Sequence, residues 1–202
     1  MMTNPSSPEG AREDLLYIRR TLEAAGRFTA VPGRELMAAG LVALAGAGVN
    51  ARVTGAPWSG WPPPAFSLDA WGVVLSVSLA LVAFGIARKA ERMGSPLRAA
   101  LVRRLLWSLC PALFVGGLLT SLAVRGQHLE SLPAIWLGCY GAAVANGGQM
   151  SVPPVRYMGL SFLAAGAGAA LTPSSMGLAW LGFGFGWLHI AYGAYIAWRH
   201  HG

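Results

Sequence analysis

Apolar residues gather in six runs along the chain, and short polar segments separate one run from the next. Each run holds about 17 to 23 residues, and an α-helix of that length, rising about 1.5 Å per residue, crosses a bilayer core of about 30 Å. The pattern therefore predicts an all-α membrane protein built as a bundle of six transmembrane helices. The predicted helices cover residues 34–50, 67–87, 105–124, 132–150, 155–171 and 176–198.

The segment before the first run is amphipathic. Between residues 11 and 27, apolar side chains recur every three or four positions among four arginines. This pattern predicts a helix on the membrane surface with its leucines inward, and a docking helix for a cytoplasmic protein partner is the alternative. Residues 1–30 are therefore expected to form a cytoplasmic tail with an interfacial helix, and residues 31–202 the six-helix transmembrane domain.

Composition agrees with a membrane protein. Hydrophobic residues make up 54% of the chain and charged residues 11%, against about 25% charged residues in soluble domains. A net charge of +7 would suggest a nucleic-acid partner in a soluble protein. Here the basic residues lie between the apolar runs, where the positive-inside rule accounts for them. The expected partner is the lipid bilayer, and no nucleic acid is expected.

The basic residues also predict the orientation in the membrane. Of the 15 Lys and Arg residues, thirteen lie in the N-terminal segment, the second and fourth loops and the C-terminus, and two lie in the other loops. Basic loops stay on the cytoplasmic side. Both termini are therefore expected in the cytoplasm, with the protein in a bacterial inner membrane.

The first predicted helix is rich in small residues. Ala39, Ala43 and Ala47 recur at every fourth position, with Gly40 and Gly48 beside them. Small side chains let helix backbones approach closely in lipid. This helix is therefore expected to lie inside the bundle with neighbours on several sides.

The sixth run holds no charged residue and a single histidine, His189. Counting back from Arg199 at helical rise places it about 15 Å from the cytoplasmic edge, near mid-bilayer. An ionisable side chain at that depth suggests a functional site, and the aromatic side chains of Trp187 and Tyr192 suit a hydrophobic ligand such as a quinone or a lipid. A neutral imidazole that hydrogen-bonds a neighbouring helix explains the residue equally well.

Haem is the sharpest cofactor hypothesis for such a histidine, but a bis-histidine site needs a second imidazole at the same depth. The other histidines lie in an outer loop or at the C-terminus, so only a methionine, a small molecule or another subunit could complete the site. The sequence contains no zinc spacing, P-loop or dinucleotide fingerprint. The cofactor stays unknown and no metal site is assigned. The other histidines are His128, His200 and His201.

The fourth predicted helix ends in polar residues. Asn146, Gln149 and Arg156 could form the cytoplasmic mouth of a transporter or channel, although capping of helix ends explains them more readily. Coupled carriers usually bury an acidic side chain, and here the acidic residues after Glu35 lie at helix ends or in loops. Coupled transport is therefore disfavoured.

Enzymatic candidates are weak. Rhomboid proteases carry a nucleophilic serine on the fourth helix, and here that helix has no serine in its apolar run. Ser161 on the fifth helix would lie some 7 Å shallower than His189, so no catalytic residue is assigned. Cys110 and Cys139 differ in predicted depth by about 12 Å and are expected to be free thiols.

Two blocks, YIRRTLEAAGRFTAVPG (17–33) and GFGWLHIAYGAYIAWRHHG (184–202), with the weaker MGLSFLAAGA (158–167), resemble a group of uncharacterised bacterial integral membrane proteins with a six-span layout. The resemblance implies a bacterial inner membrane and this architecture. No activity is assigned to that group, so no functional residue is carried over.

The function that these features favour is a non-catalytic binding, sensory or accessory subunit. A hydrophobic small molecule or a membrane partner would lie near His189, and a cytoplasmic protein would contact residues 11–27. The alternative is a small-molecule transporter or channel with its mouth at Asn146 and Gln149.

Overall fold

The computed structural model describes residues 14–15, 31–55, 68–92 and 99–199, and helices and turns make up these ranges without a β-strand. Within them the chain forms six helices. The first five are α1 (Gly33–Thr54), α2 (Leu68–Arg92), α3 (Ala99–Arg125), α4 (Leu132–Gly147) and α5 (Pro153–Leu171).

The sixth helix, called the C-terminal helix below, has three parts without a break. It runs from α6 (Gly177–Leu181) through a π-helical turn (Gly182–Leu188) into α7 (His189–Arg199). Short 3-10 turns precede α4, follow it and precede α6; they cover Leu129–Ser131, Gly148–Met150 and Ser174–Met176.

Three helices in the described ranges are long and apolar enough to cross a membrane, and they coincide with the first three predicted spans. They are Gly33–Thr54, Leu68–Arg88 and Arg103–Arg125. The later helices differ from the simple prediction. The fourth predicted span is divided into α4, which has 16 residues, and a 3-10 turn, and the sixth contains the π-helical turn.

Glycine lets α1 and the C-terminal helix touch backbone to backbone. A Cβ atom at Gly33 would lie 2.5 Å from the backbone nitrogen of Ala197, and one at Gly40 would lie 2.7 Å from the carbonyl oxygen of Gly186. No side chain fits at either distance, so the two helices approach as closely as small residues allow. Residue numbers rise along α1 as they fall along its neighbour, so the helices run antiparallel.

The pair α4–α5 is joined in the same way. A Cβ atom at Gly166 would lie 2.7 Å from the nitrogen of Gly138, and one at Gly159 would meet the backbone of Ala145. Again the numbering shows that the helices are antiparallel. Because each contact involves main-chain atoms, neither helix can yield by a change of rotamer.

The remaining neighbours complete a bundle in which adjacent helices alternate in direction. In space the order is α2, α1, the C-terminal helix, α5, α4 and α3. The contacts that fix this order are Gly46–Val74 and Gly85–Glu35 for α2 with α1, Gly168–Trp180 for α5 with the C-terminal helix, and Gly116–Cys139 and Gly147–Leu105 for α3 with α4.

The alternating directions bring most of the described arginines to one end of the bundle, called the basic end below. It comprises the start of α1, α3 and α5 and the end of α2, α4 and α7. The arginines at the basic end are Arg34, Arg88, Arg103, Arg104, Arg156 and Arg199, whereas Arg52 and Arg125 lie at the opposite end.

The predicted inner position of the first helix is confirmed. In the apolar windows of the three membrane-length helices, 39% of α1 is buried, against 17% of α2 and 6% of α3. The outer face of α3 presents large apolar side chains such as Trp107, Phe114 and Leu122. The predicted surface helix at 11–27 lies outside the described residues, apart from Asp14 and Leu15.

Candidate functional site

His189 lies where the π-helical turn ends. The backbone N–H of His189 donates to the carbonyl of Gly186, whereas an α-helix would direct it to the carbonyl of Phe185. The imidazole Nδ1 bonds that Phe185 carbonyl instead, at 2.9 Å. The side chain of His189 thus bonds the carbonyl that its own backbone N–H would bond in a regular α-helix. Such π-helical turns in α-helices occur often at functional sites.

The second nitrogen of His189 is also engaged. Its Nε2 lies 2.8 Å from the hydroxyl of Tyr140 on α4. A carbonyl can only accept, so Nδ1 carries the proton and donates to Phe185; Nε2 then accepts from the Tyr140 O–H. Both nitrogens of a neutral imidazole are therefore used, and the side chain is only 7% exposed.

Three aromatic rings surround the imidazole. Phe162 meets it edge-on at 5.1 Å between centroids, Tyr140 lies at 5.5 Å and Phe185 stacks at 6.2 Å with an interplanar angle of 18°. Phe162 is fully buried. The predicted candidate Trp187 is elsewhere, since its ring is 60% exposed on the outside of the helix.

The second predicted aromatic candidate, Tyr192, pairs with Ser161 rather than with His189. Ser161 Oγ donates to the carbonyl of Tyr157 at 3.0 Å, and its oxygen lies 2.8 Å from the Tyr192 hydroxyl. Since the serine proton is already used, Tyr192 donates to Ser161. Ser161 and His189 therefore have separate partners, and they do not form the dyad of a serine protease.

Among the described residues, the His189 arrangement is one of four similar hydrogen-bonded relays that connect two helices. In each relay an aromatic N–H or O–H donates to a side chain, which donates in turn to the carbonyl four residues earlier in its own helix. Such relays satisfy polar groups that lipid cannot hydrate. The four are Trp136–Thr120–Gly116, Trp180–Thr172–Gly168, Tyr192–Ser161–Tyr157 and Tyr140–His189–Phe185.

The relays lead to a prediction for Thr172. The change Thr172→Val removes the acceptor of the Trp180 indole N–H, which lies 2.7 Å away. We expect a loss of about 0.6–1.7 kcal/mol, the range of hydrogen bonds between membrane helices, in SDS-driven unfolding followed by tryptophan fluorescence. Thr54→Val is the matched control, because Thr54 Oγ1 bonds only the carbonyl of Asn50 in its own helix. Equal losses in the two variants would contradict the relay.

A cleft at the basic end is lined in part by Tyr192 of the Ser161–Tyr192 pair. It has a volume of about 660 Å³ and is called the tyrosine cleft below. Tyr157 and Tyr195 are 60% and 44% exposed, and neither hydroxyl has a hydrogen-bond partner among the described residues. The cleft is lined by Pro153, Pro154, Tyr157, Ala191, Tyr192, Tyr195 and Arg199.

A second cleft at the same end contains the predicted residues Asn146 and Gln149. It has a volume of about 450 Å³ and lies between α3 and the end of α4; it is called the arginine cleft below. Asn146 Nδ2 donates to the carbonyl of Ser108 at 2.9 Å, so this side chain joins the two helices. The cleft is lined by Arg103, Arg104, Trp107, Ser108, Asn146, Gln149 and Met150.

The remaining chemical candidates are not assembled into a site in the described part of the chain. No three His, Cys, Asp or Glu side chains lie together as a metal site would require. His128 is in an exposed loop beside Glu130, far along the chain from His189. Cys110 and Cys139 are free thiols, as predicted.

Sequence reasoning missed Tyr140, which is the partner that defines the environment of His189. A signal was present, because Tyr140 is the only tyrosine of the fourth predicted helix and lies near its middle. If the positions of tyrosines as well as histidines are counted along the predicted helices, Tyr140 and His189 lie at a similar depth. The π-helical turn was not predicted either, although it coincides with the glycine-rich GFGFGWL.

Comparison with known proteins gives no match. No protein-family model matches the sequence, and neither a curated protein nor a solved structure shows significant similarity to it. The function is therefore inferred from the chemistry of the clefts and of the bundle interior.

Proposed function

We propose that this chain is a non-catalytic protein of the bacterial inner membrane, a binding, sensory or accessory subunit that holds a hydrophobic ligand in the tyrosine cleft. In this proposal six helices cross the membrane and both termini are cytoplasmic. The amphipathic segment 11–27 then lies at the surface that a cytoplasmic partner would meet. The observation that carries the proposal is the tyrosine cleft itself.

The tyrosine cleft contains hydrogen-bond donors that the fold leaves unused. Of the side chains that line the cleft, Tyr192 is paired with Ser161, whereas those of Tyr157, Tyr195 and Arg199 have no hydrogen-bond partner among the described residues. All three can donate hydrogen bonds, so the ligand head must accept them. Carbonyl or anionic oxygens on an apolar ring or chain meet this need, as in a quinone or a lipid.

The position of the cleft supports an amphiphile rather than a water-soluble ligand. Arg199 ends α7 at the basic end, and the rings of Tyr195 and Tyr192 lie about one and two turns further along the same helix. A ligand with its polar head beside Arg199 would thus place its apolar part against the tyrosine rings. The volume of about 660 Å³ falls within the range of about 300–1,000 Å³ of small-molecule sites.

The helix packing beneath the arginine cleft favours a binding function over transport. Asn146 and Gln149 line an open cleft, as a transporter mouth would. Further into the bundle, however, α3 and α4 pack against each other, since a Cβ atom at Gly116 would lie 3.0 Å from the Cβ of Cys139. Support for the orientation comes from the arginines at the basic end, since basic segments stay cytoplasmic.

The test is to identify molecules that co-purify with the protein. We expect mass spectrometry of a solvent extract of the gently purified protein to show one amphiphile enriched above its share of bulk membrane lipid. The variant Tyr195→Leu, which removes an exposed hydroxyl donor and ring, should lose this enrichment at least about tenfold, the effect of about 1.4 kcal/mol.

Trp187→Leu is the matched control for this experiment. It also removes an exposed aromatic ring of the C-terminal helix, but one that does not line the tyrosine cleft. Enrichment should be unchanged in this variant. If the wild type carries only bulk lipid, or if both variants lose the molecule equally, the proposed site is wrong.

A further inference from the structure

The arginine cleft contains charge and hydrogen-bonding capacity that the fold does not use. Arg103 and Arg104 are exposed, and neither has an ion-pair partner among the described residues. Guanidinium groups stay charged at all relevant pH values and match the geometry of phosphate oxygens. Asn146 and Gln149 face them from α4 and the following 3-10 turn, which adds neutral donors and acceptors.

A second observation points to the same cleft. Across the described residues, only two buried side-chain polar atoms lack a hydrogen-bond partner, and one of them is Ser108 Oγ in the cleft wall. Its neighbour Asn146 already bonds the Ser108 carbonyl. Buried polar atoms are rarely left unpaired in folded proteins, so the cleft wall contains a hydroxyl that the fold leaves unused.

The apolar surroundings show what kind of anion would fit. Arg103 begins the membrane-length part of α3, Arg103–Arg125, so both guanidinium groups lie where the apolar helix meets the polar end. Trp107, 73% exposed, is one turn further along, and exposed Leu106 and Phe114 continue the surface. A ligand whose anionic group lies beside the arginines would therefore have an apolar surface along α3 for its apolar part.

We propose that the arginine cleft binds the phosphate of an anionic phospholipid, with Arg103 and Arg104 on the phosphate oxygens, Asn146 and Gln149 on the headgroup, and the acyl chains along α3 past Trp107. The site is independent of the tyrosine cleft. The two clefts are lined by different helices and share no residue, so either proposal can fail without the other.

The test compares two variants of equal net charge. Arg103→Gln/Arg104→Gln removes both guanidinium groups of the cleft, and the control Arg34→Gln/Arg88→Gln removes two arginines at the same end that do not line it. Native mass spectrometry of each protein, titrated with phosphatidylglycerol or with zwitterionic phosphatidylcholine in detergent, measures the bound lipid. We expect the cleft variant to bind phosphatidylglycerol about tenfold more weakly than the wild type does. The control variant should bind it as tightly as the wild type does.

A further arm distinguishes a lipid from a soluble anion. Inorganic phosphate and glycerol phosphate, added at millimolar concentration, should leave the bound phosphatidylglycerol in place, because they lack the acyl chains that lie along α3. Displacement by these soluble anions would overturn the lipid assignment. An equal loss of phosphatidylglycerol in both variants would overturn the site, since it would reflect net charge alone.

Both variants should first be compared with the wild type in thermal unfolding. Arg103 and Arg104 are exposed and make no ion pair with a described residue, so lipid-free detergent samples should unfold at similar temperatures. A shift to higher temperature on adding phosphatidylglycerol is then expected in the wild type and the control, and not in the cleft variant. The same shift in all three proteins would contradict the proposal.

Discussion

Replacing Gly159 by alanine is expected to destabilise the protein by about 3 kcal/mol or more, the upper end of the cost of overpacking. A Cβ atom at this position would lie 2.5 Å from the Cα and 2.8 Å from the Cβ of Ala145. Because the obstructing atoms belong to the backbone and its first side-chain carbon, the helices α4 and α5 must move apart. SDS-driven unfolding in mixed micelles, followed by tryptophan fluorescence, measures the loss.

The control for this change lies in the same helix pair. A Cβ atom at Gly138 meets nothing within 4 Å, so Gly138→Ala should be neutral or should stabilise α4 by up to about 1 kcal/mol through helix propensity. Gly166→Ala, whose Cβ would lie 2.7 Å from the Gly138 nitrogen, provides a second test if Gly159→Ala does not fold. Equal stability of the Gly138 and Gly166 variants would contradict the backbone contact between these helices.

The second large effect is expected at His189. The variant His189→Ala leaves a cavity among Tyr140, Phe162 and Phe185 and removes both hydrogen bonds. We expect a loss of about 2–4 kcal/mol in the free energy of unfolding, in line with the truncation of other large core side chains. Tyr140→Phe alone should cost less, about 0.6–1.7 kcal/mol, because it removes one hydrogen bond and little volume.

A double-mutant cycle separates the hydrogen bond from the packing. If Tyr140 acts on stability through His189, the change Tyr140→Phe should cost nearly nothing in the His189→Ala background. Additive losses would show that the two side chains act separately. The absorption spectrum provides an independent check, since a Soret band in the wild type that disappears in His189→Ala would indicate haem and contradict a purely structural imidazole.

Much of the helical layout could be predicted because hydropathy is a local property of the chain. The predicted spans at 34–50 and 105–124 lie inside α1 and α3, and the all-helical character is confirmed in the described residues. Small residues at every fourth position also predicted the buried place of α1, since their effect on helix approach is a matter of size. Later boundaries were less accurate, because the π-helical and 3-10 turns depend on contacts with other helices.

The candidate site could be predicted only in part. His189 is buried among other side chains, but Trp187 faces outward and Tyr192 pairs with Ser161. Which side chains meet depends on the rotation of each helix about its axis. A π-helical turn changes that rotation within a few residues, so spacing alone could not bring Tyr140 to His189.

By itself the sequence determined the helical class, the apolar lengths and the gathering of basic residues between alternate runs, because each of these follows from residues close together in the chain. Only the tertiary structure decided that His189 is bonded at both nitrogens, that four relays share one design, and that two clefts lie at the basic end. These features join residues from different helices, and glycine contacts such as those of Gly33, Gly40 and Gly166 set how closely and at what depth the helices meet.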